Sequence, residues 1–159
     1  MRFIKQIFSV LVIVVILAGC SSNTEEKIVI SEQLIYGESS EMDLVQIDYK
    51  LEGSKQWKDS LIINQLMEKL QGIELRQLPV DEEIEVFKGK EILYSISLIS
   101  LQNPSHGKEA KGGTVLIFST GEIVFPDIKT MGDGRTISYI NVNEEIIKRE
   151  AIISFIESL

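Results

Sequence analysis

The apolar residues of this chain change period, and any fold it adopts must satisfy both periods at once. Val45, Ile47, Tyr49 and Leu51 alternate with Gln46, Asp48 and Lys50, the pattern of a strand with one buried face. Beyond Asp59 the spacing becomes four: Ile62, Leu66 and Leu70 recur in step, with Ile63 and Met67 beside them, so their side chains share one stripe of a helix. Residues 59–71 are therefore expected to form an amphipathic helix, capped by Asp59 or Ser60 and stopped by a left-handed Gly72. A stripe and a half-apolar strand can each bury themselves only against the other kind of element.

The remaining segments fit the same scheme. Residues 27–36 read as a strand, and the polar residues 38–41 after Gly37 as the turn into its partner at 45–51, where Gly53-Ser54 breaks the pattern. Residues 73–78 read as a short strand ended by Pro79, residues 80–83 as an acidic turn, and 84–87 and 92–101 as two strands joined around Gly89. Strands at 114–118 and 122–125 flank a hairpin signal at Ser119-Thr120-Gly121, and loop 127–134 leads to a last strand at 135–142. A closing helix is expected to start at Asn143, with Glu144 and Glu145 in its first turn and Val142 and Ile147 as a hydrophobic staple. Its inward row is read as Ile147, Ala151, Phe155 and Leu159, with Ile152 and Ile156 alongside. Glu144 with Lys148 and Glu145 with Arg149 add i,i+4 pairs worth about 0.3 kcal/mol each. The expected fold class is α+β: one domain over residues 27–159, a mainly antiparallel β-sheet packed with two amphipathic helices.

The N-terminus carries a different signal. After Arg2 and Lys5, residues 7–18 are apolar except for Ser9, a run too short for an ordinary membrane span of about 20 residues. It closes on Leu17-Ala18-Gly19-Cys20 and turns polar at Ser21-Ser22-Asn23. Basic start, core length, small residues before Cys20 and polar residues after it together resemble a bacterial lipoprotein signal peptide with its lipobox. The resemblance implies cleavage between Gly19 and Cys20 and a diacylglyceryl group on the Cys20 thiol. It also implies an address, the outer face of the cell membrane, with no cofactor beyond that covalent lipid. Two acyl chains at about 0.8 kcal/mol per buried methylene anchor stably, whereas one does so only marginally. Residues 20–26 then form a lipidated tether whose six residues after Cys20 reach at most about 20 Å.

Charge narrows the partners. Of 16 basic side chains, residues 1–19 hold two and no acidic one, which leaves 14 against 24 acids and a formal −10 in the remainder. An acidic body with unclustered cations is a poor match for nucleic acid, and anionic headgroups repel it while the lipid holds its end. One Cys and one His cannot make an internal disulfide or the usual His/Cys zinc sites.

Catalytic motifs are scarce. His106, beside Ser105 in loop 102–113, offers a general base or a ligand, but neighbours in an extended chain point apart, and the blander reading is a solvated loop histidine. Gly112-Gly113 and Gly132-Asp133-Gly134-Arg135 match no phosphate loop and read as turns. Asp81, Glu82, Glu83 and Glu85 lack EF-hand spacing, so calcium is the lesser reading beside a solvated acidic turn. Asp127 and Asp133 can pair only if the fold brings them together. No G-x-S-x-G elbow is present.

Trp57 is the candidate contact for a partner, since aromatic anchors dominate interfaces; packing of its ring over the start of the first helix is the competing reading. Beyond the lipobox the domain is similar to small lipoproteins of Gram-positive bacteria in which a short tether precedes one α+β module. The expectation is a non-enzymatic, monomeric binding or interaction module for an envelope protein or small ligand. An envelope-associated hydrolase or small-ligand-binding protein is the alternative.

Overall fold

The computed structural model describes residues 27–131, 136–142 and 146–159. The segment expected to be a signal sequence, Cys20, Asp133 and the expected start of the closing helix at Asn143, Glu144 and Glu145 lie outside the described residues, as do the staple and ion pairs that depend on them.

The fold class is α+β. Among the described residues eight strands make one sheet: β1 (Ile28–Ile30), β2 (Leu44–Tyr49), β3 (Gly53–Trp57), β4 (Glu74–Leu78), β5 (Ile92–Ile99), β6 (Gly112–Phe118), β7 (Ile123–Pro126) and β8 (Ser138–Asn141). Their order is β1-β4-β8-β7-β6-β5-β2-β3, with every neighbouring pair antiparallel. Among the described residues three α-helices accompany it: α1 (Ser60–Leu70), α2 (Val80–Phe87) and α3 (Ile146–Glu157).

Strand alternation gives the sheet two faces. One carries Ile47, Ile96, Ile117 and Phe125, all fully buried, and α1 and α3 close over it with Leu66, Leu70, Ile152 and Ile156. Such aliphatic side chains each contribute about 2–5 kcal/mol, judged by what truncation to Ala costs in a packed core. Helix α1 starts as its sequence indicates: the Asp59 carboxylate accepts from the Leu61 backbone N–H at 2.8 Å, satisfying a donor that the first turn leaves orphaned. It stops before Gly72, whose φ is +73°, and the Lys148 ammonium of α3 donates to the Gly72 carbonyl at 2.6 Å.

The opposite face is covered over only part of its width. There α2 packs Val86 and Phe87 against Leu78, Phe118, Val124 and Ile140, with the Phe87 ring edge-on to Phe118 at 5.3 Å. Residues 80–87 form a helix and not the acidic turn and strand that their sequence suggests. Pro79 precedes it at φ −62°, and Asp81, Glu82 and Glu83 occupy its first turn, where carboxylates favour the positive end of the helix dipole. Glu83 also accepts from the Ser138 hydroxyl at 2.7 Å.

Three further readings are corrected. Residues 31–36 do not extend β1: a 3-10 turn at Ser31–Gln33 follows it, fixed by the buried Ser31 hydroxyl, which donates to the Leu70 carbonyl at 2.5 Å. Leu51 lies in the β2–β3 turn and is 89% exposed; Gly53, at φ +81°, turns the chain back into β3 instead of ending the pattern. In α3 the inward stripe is Ile152 and Ile156, whereas Ala151 is exposed and Phe155 half-buried.

Candidate functional site

Where α2 does not reach, the second face is mainly polar, with Leu44 and Ile99 as an apolar pair at one end of it. Register aligns Gln56 of β3, Gln46 of β2, Ser97 of β5 and Thr114 of β6 in one row. The Gln56 amide donates to the Gln46 side-chain carbonyl at 2.9 Å, and Gln46 donates to Asp48 at 3.1 Å. Ser97 and Thr114 are half-buried, and among the described residues their hydroxyls make no hydrogen bond. This half of the face follows from the alternation of Tyr94, Ile96 and Leu98 with Ser95 and Ser97 on β5.

Beside Ser97 and Thr114 lies a pocket of about 140 Å³. Ser100 and Ser105 also line it, Ile99 and Ile128 supply apolar wall, and Lys111 contributes to its rim. The chain between β5 and β6 is tied down at several points. The Leu101 backbone N–H donates to Asp43 at 2.6 Å, the Asn103 amide donates to the Ser100 hydroxyl at 2.9 Å, and the Gly107 N–H donates to the Ile128 carbonyl at 2.9 Å. Loops 102–113 and 127–131 are therefore in direct contact. Gly112, φ +105°, sits where a Cβ would come 2.0 Å from the Leu98 carbonyl oxygen, so no larger residue fits there without displacing β5. Lys111 is ion-paired with Glu41, which holds the Glu41 carboxyl below the usual carboxylate range.

Asp127 lies next to this pocket with its carboxylate committed elsewhere. One oxygen, Oδ1, accepts from the Tyr36 hydroxyl at 2.7 Å and from the Lys129 N–H at 3.0 Å. The Lys129 ammonium stands 3.8 Å from the centre of the Tyr36 ring. Burial, then the hydrogen bond to Asp127, pushes the Tyr36 phenol well above its ordinary pKa. Thr130 Oγ1 donates to the Asp127 carbonyl and accepts from the Ile137 N–H, both at 2.9 Å. This cluster shapes a turn.

His106 is exposed, and its Nδ1 lies 3.1 Å from the Ser105 hydroxyl. Neighbours in an extended chain would point apart; residues 105–107 are bent instead, and Gly107 takes φ +90°, so the two side chains converge. The pocket gathers Ser105 but neither His106 nor Asp127. Among the described residues no group of three or more His, Cys, Asp or Glu side chains gathers as a metal site. The acidic residues weighed for calcium sit on α2, where Glu82 pairs with Arg76 at 2.6 Å and Glu83 with Ser138.

Trp57 closes β3 opposite Val45, half-buried on the face that α1 and α3 cover, and packs against the main core. The half of the second sheet face that α2 leaves open carries polar side chains instead. In the sequence Ser97 is signalled only by the serines that alternate along β5, and Ser100 and Thr114 carry no signal of their own.

No protein family, curated protein or solved structure matches the chain. Among the described residues no helix is long and apolar enough to cross a membrane.

Proposed function

We propose that the chain is a lipid-anchored extracytoplasmic lipoprotein, and that its domain is a non-enzymatic binding module held at the outer face of the membrane. The lipobox Leu17-Ala18-Gly19-Cys20 supports the anchor. The observation that carries the binding role is the uncovered polar half of the sheet with a pocket set into it, beside an Asp127 carboxylate whose Oδ1 is engaged by Tyr36 and Lys129. The sheet order favours the same reading. A tether ending at residue 26 enters at β1, one edge, and β3 is the other edge. Seven inter-strand spacings of about 4.8 Å separate the two, so the polar half, built on β6, β5, β2 and β3, lies toward the end remote from the tether. Crosslinking in intact cells followed by recovery of the chain tests this reading. A reproducible adduct that requires Cys20 supports it; adducts identical in a Cys20→Ser variant contradict a role tied to the anchor.

A second reading, an envelope-associated hydrolase, draws on the Ser105–His106 contact at the pocket rim. Under it, Ser105 is the nucleophile and His106 its base. Reaction with a serine-directed phosphonate probe that vanishes in Ser105→Ala favours this reading; no labelling speaks for the binding module.

A further inference from the structure

The pocket between β5, β6 and the loop that joins them is built from groups of one chemical kind. Ser97 and Thr114 face each other across a strand pair with hydroxyls that nothing in the described protein engages. Ser100 is 5% exposed; its hydroxyl accepts from Asn103 and retains its own proton to give. Ser105, whose hydroxyl also lies 3.1 Å from His106 Nδ1, adds a fourth hydroxyl to the lining. A hydroxyl both donates and accepts and rotates to suit its partner, so a cluster of them matches a ligand bearing the same group. The charged side chain at the rim, Lys111, is already neutralised by Glu41, which leaves a charged ligand without a counter-charge. Ile99 and Ile128 offer surface for a short carbon skeleton, and about 140 Å³ is close to the space that holds a six-carbon ring.

We propose that this pocket binds a small uncharged polyol, a molecule of about three to six carbons carrying several hydroxyls, with Ser97 and Thr114 as its principal hydrogen-bonding partners. The proposal rests on the binding-module reading and names the ligand class for it. Binding is weak, in the millimolar range, because each hydrogen bond formed replaces one to water.

The test is site-resolved, because polyols also stabilise folded proteins by exclusion from their surface and raise melting temperatures without binding. The full chain, 15N-labelled in detergent micelles, is titrated with glycerol and with D-glucose while amide resonances are followed. Saturable shifts confined to residues 97–100 and 111–114, weakened at least fivefold in Thr114→Val and in Ser97→Ala, are expected. Thr114→Val preserves shape and strand preference, and undisturbed resonances elsewhere show that the variant is folded. Shifts that grow linearly and evenly over the sheet overturn the proposal, as do saturable shifts that both variants leave unchanged. Acetate or phosphate shifting the same amides at lower concentration than either polyol overturns it too. The crosslinking test fails separately: loss of polyol binding leaves a Cys20-dependent adduct untouched, and absence of that adduct leaves the titration unaffected.

Discussion

The hydroxyl of Tyr36 donates a 2.7 Å hydrogen bond to the carboxylate of Asp127, 91 residues further along the chain. Asp127 is 8% exposed, and Tyr36 also bridges to Gly112, its N–H donating to the Gly112 carbonyl at 2.8 Å and its carbonyl accepting from the Gly112 N–H at 2.7 Å. One residue thus joins the segment leaving β1 to both loops beside the pocket.

Replacing Tyr36 by Phe leaves a buried carboxylate oxygen short of one donor while Lys129 still serves it. The expected cost is about 1–2 kcal/mol in chemical denaturation. The variant also changes the alkaline response. The folded phenol has a raised pKa, so it stabilises the fold fully below the unfolded tyrosine value of about 10 and loses that contribution as pH rises above it. Stability of the wild type should fall from about pH 10 upward; Tyr36→Phe should show a shallower fall. Parallel profiles would mean that the Tyr36 proton plays no part.

Ile156 is 1% exposed, whereas Phe155 lies half-buried under the Lys69 ammonium, 5.4 Å from its ring centre. Ile156→Ala should therefore cost about 2–5 kcal/mol, and Phe155→Ala less, about 1–2 kcal/mol, because part of that ring never leaves water. Urea unfolding of both variants decides it; a larger loss for Phe155→Ala would restore the row of Ala151, Phe155 and Leu159 as the buried one.

Gly112→Ala puts a methyl group 2.0 Å from the Leu98 carbonyl oxygen at a φ of +105°. The expected cost is about 3 kcal/mol or more, with β5 and β6 pushed apart. Gly89→Ala also has a positive φ but meets nothing within 4 Å, so it should lose only about 1 kcal/mol. Comparable melting temperatures for the two variants would show that the close approach is relieved at no cost.

These contrasts show where local sequence sufficed. Helix α1 was legible because its stripe, its Asp59 cap and its Gly72 stop agree, each acting within a few residues. Strand β3 was not: Gly53-Ser54-Lys55-Gln56 is an exposed edge with no apolar residue to alternate, so no period reveals it. Helix α2 is not legible because Val80-Asp81-Glu82-Glu83 suits an acidic turn and a helix start equally, and only the cover it provides for Phe118 and Val124 decides. In α3 both the Phe155 row and the Ile152–Ile156 pair have helical spacing, and the position of the sheet selects between them. The pocket depends on register between β5 and β6, which pairs Ser97 with Thr114 and leaves no mark in either strand alone. His106 and Asp127 stand out by residue type, yet in the fold Asp127 accepts from the Tyr36 hydroxyl.

The proposed lipid anchor is tested most directly by the intact mass of the chain recovered from bacterial membranes. A mass equal to residues 20–159 plus a diacylglyceryl group on Cys20, replaced in Cys20→Ser by the uncleaved 159-residue chain, is the expected result. An unmodified Cys20 in the membrane-bound protein, or normal cleavage of the Cys20→Ser chain, would contradict the assignment.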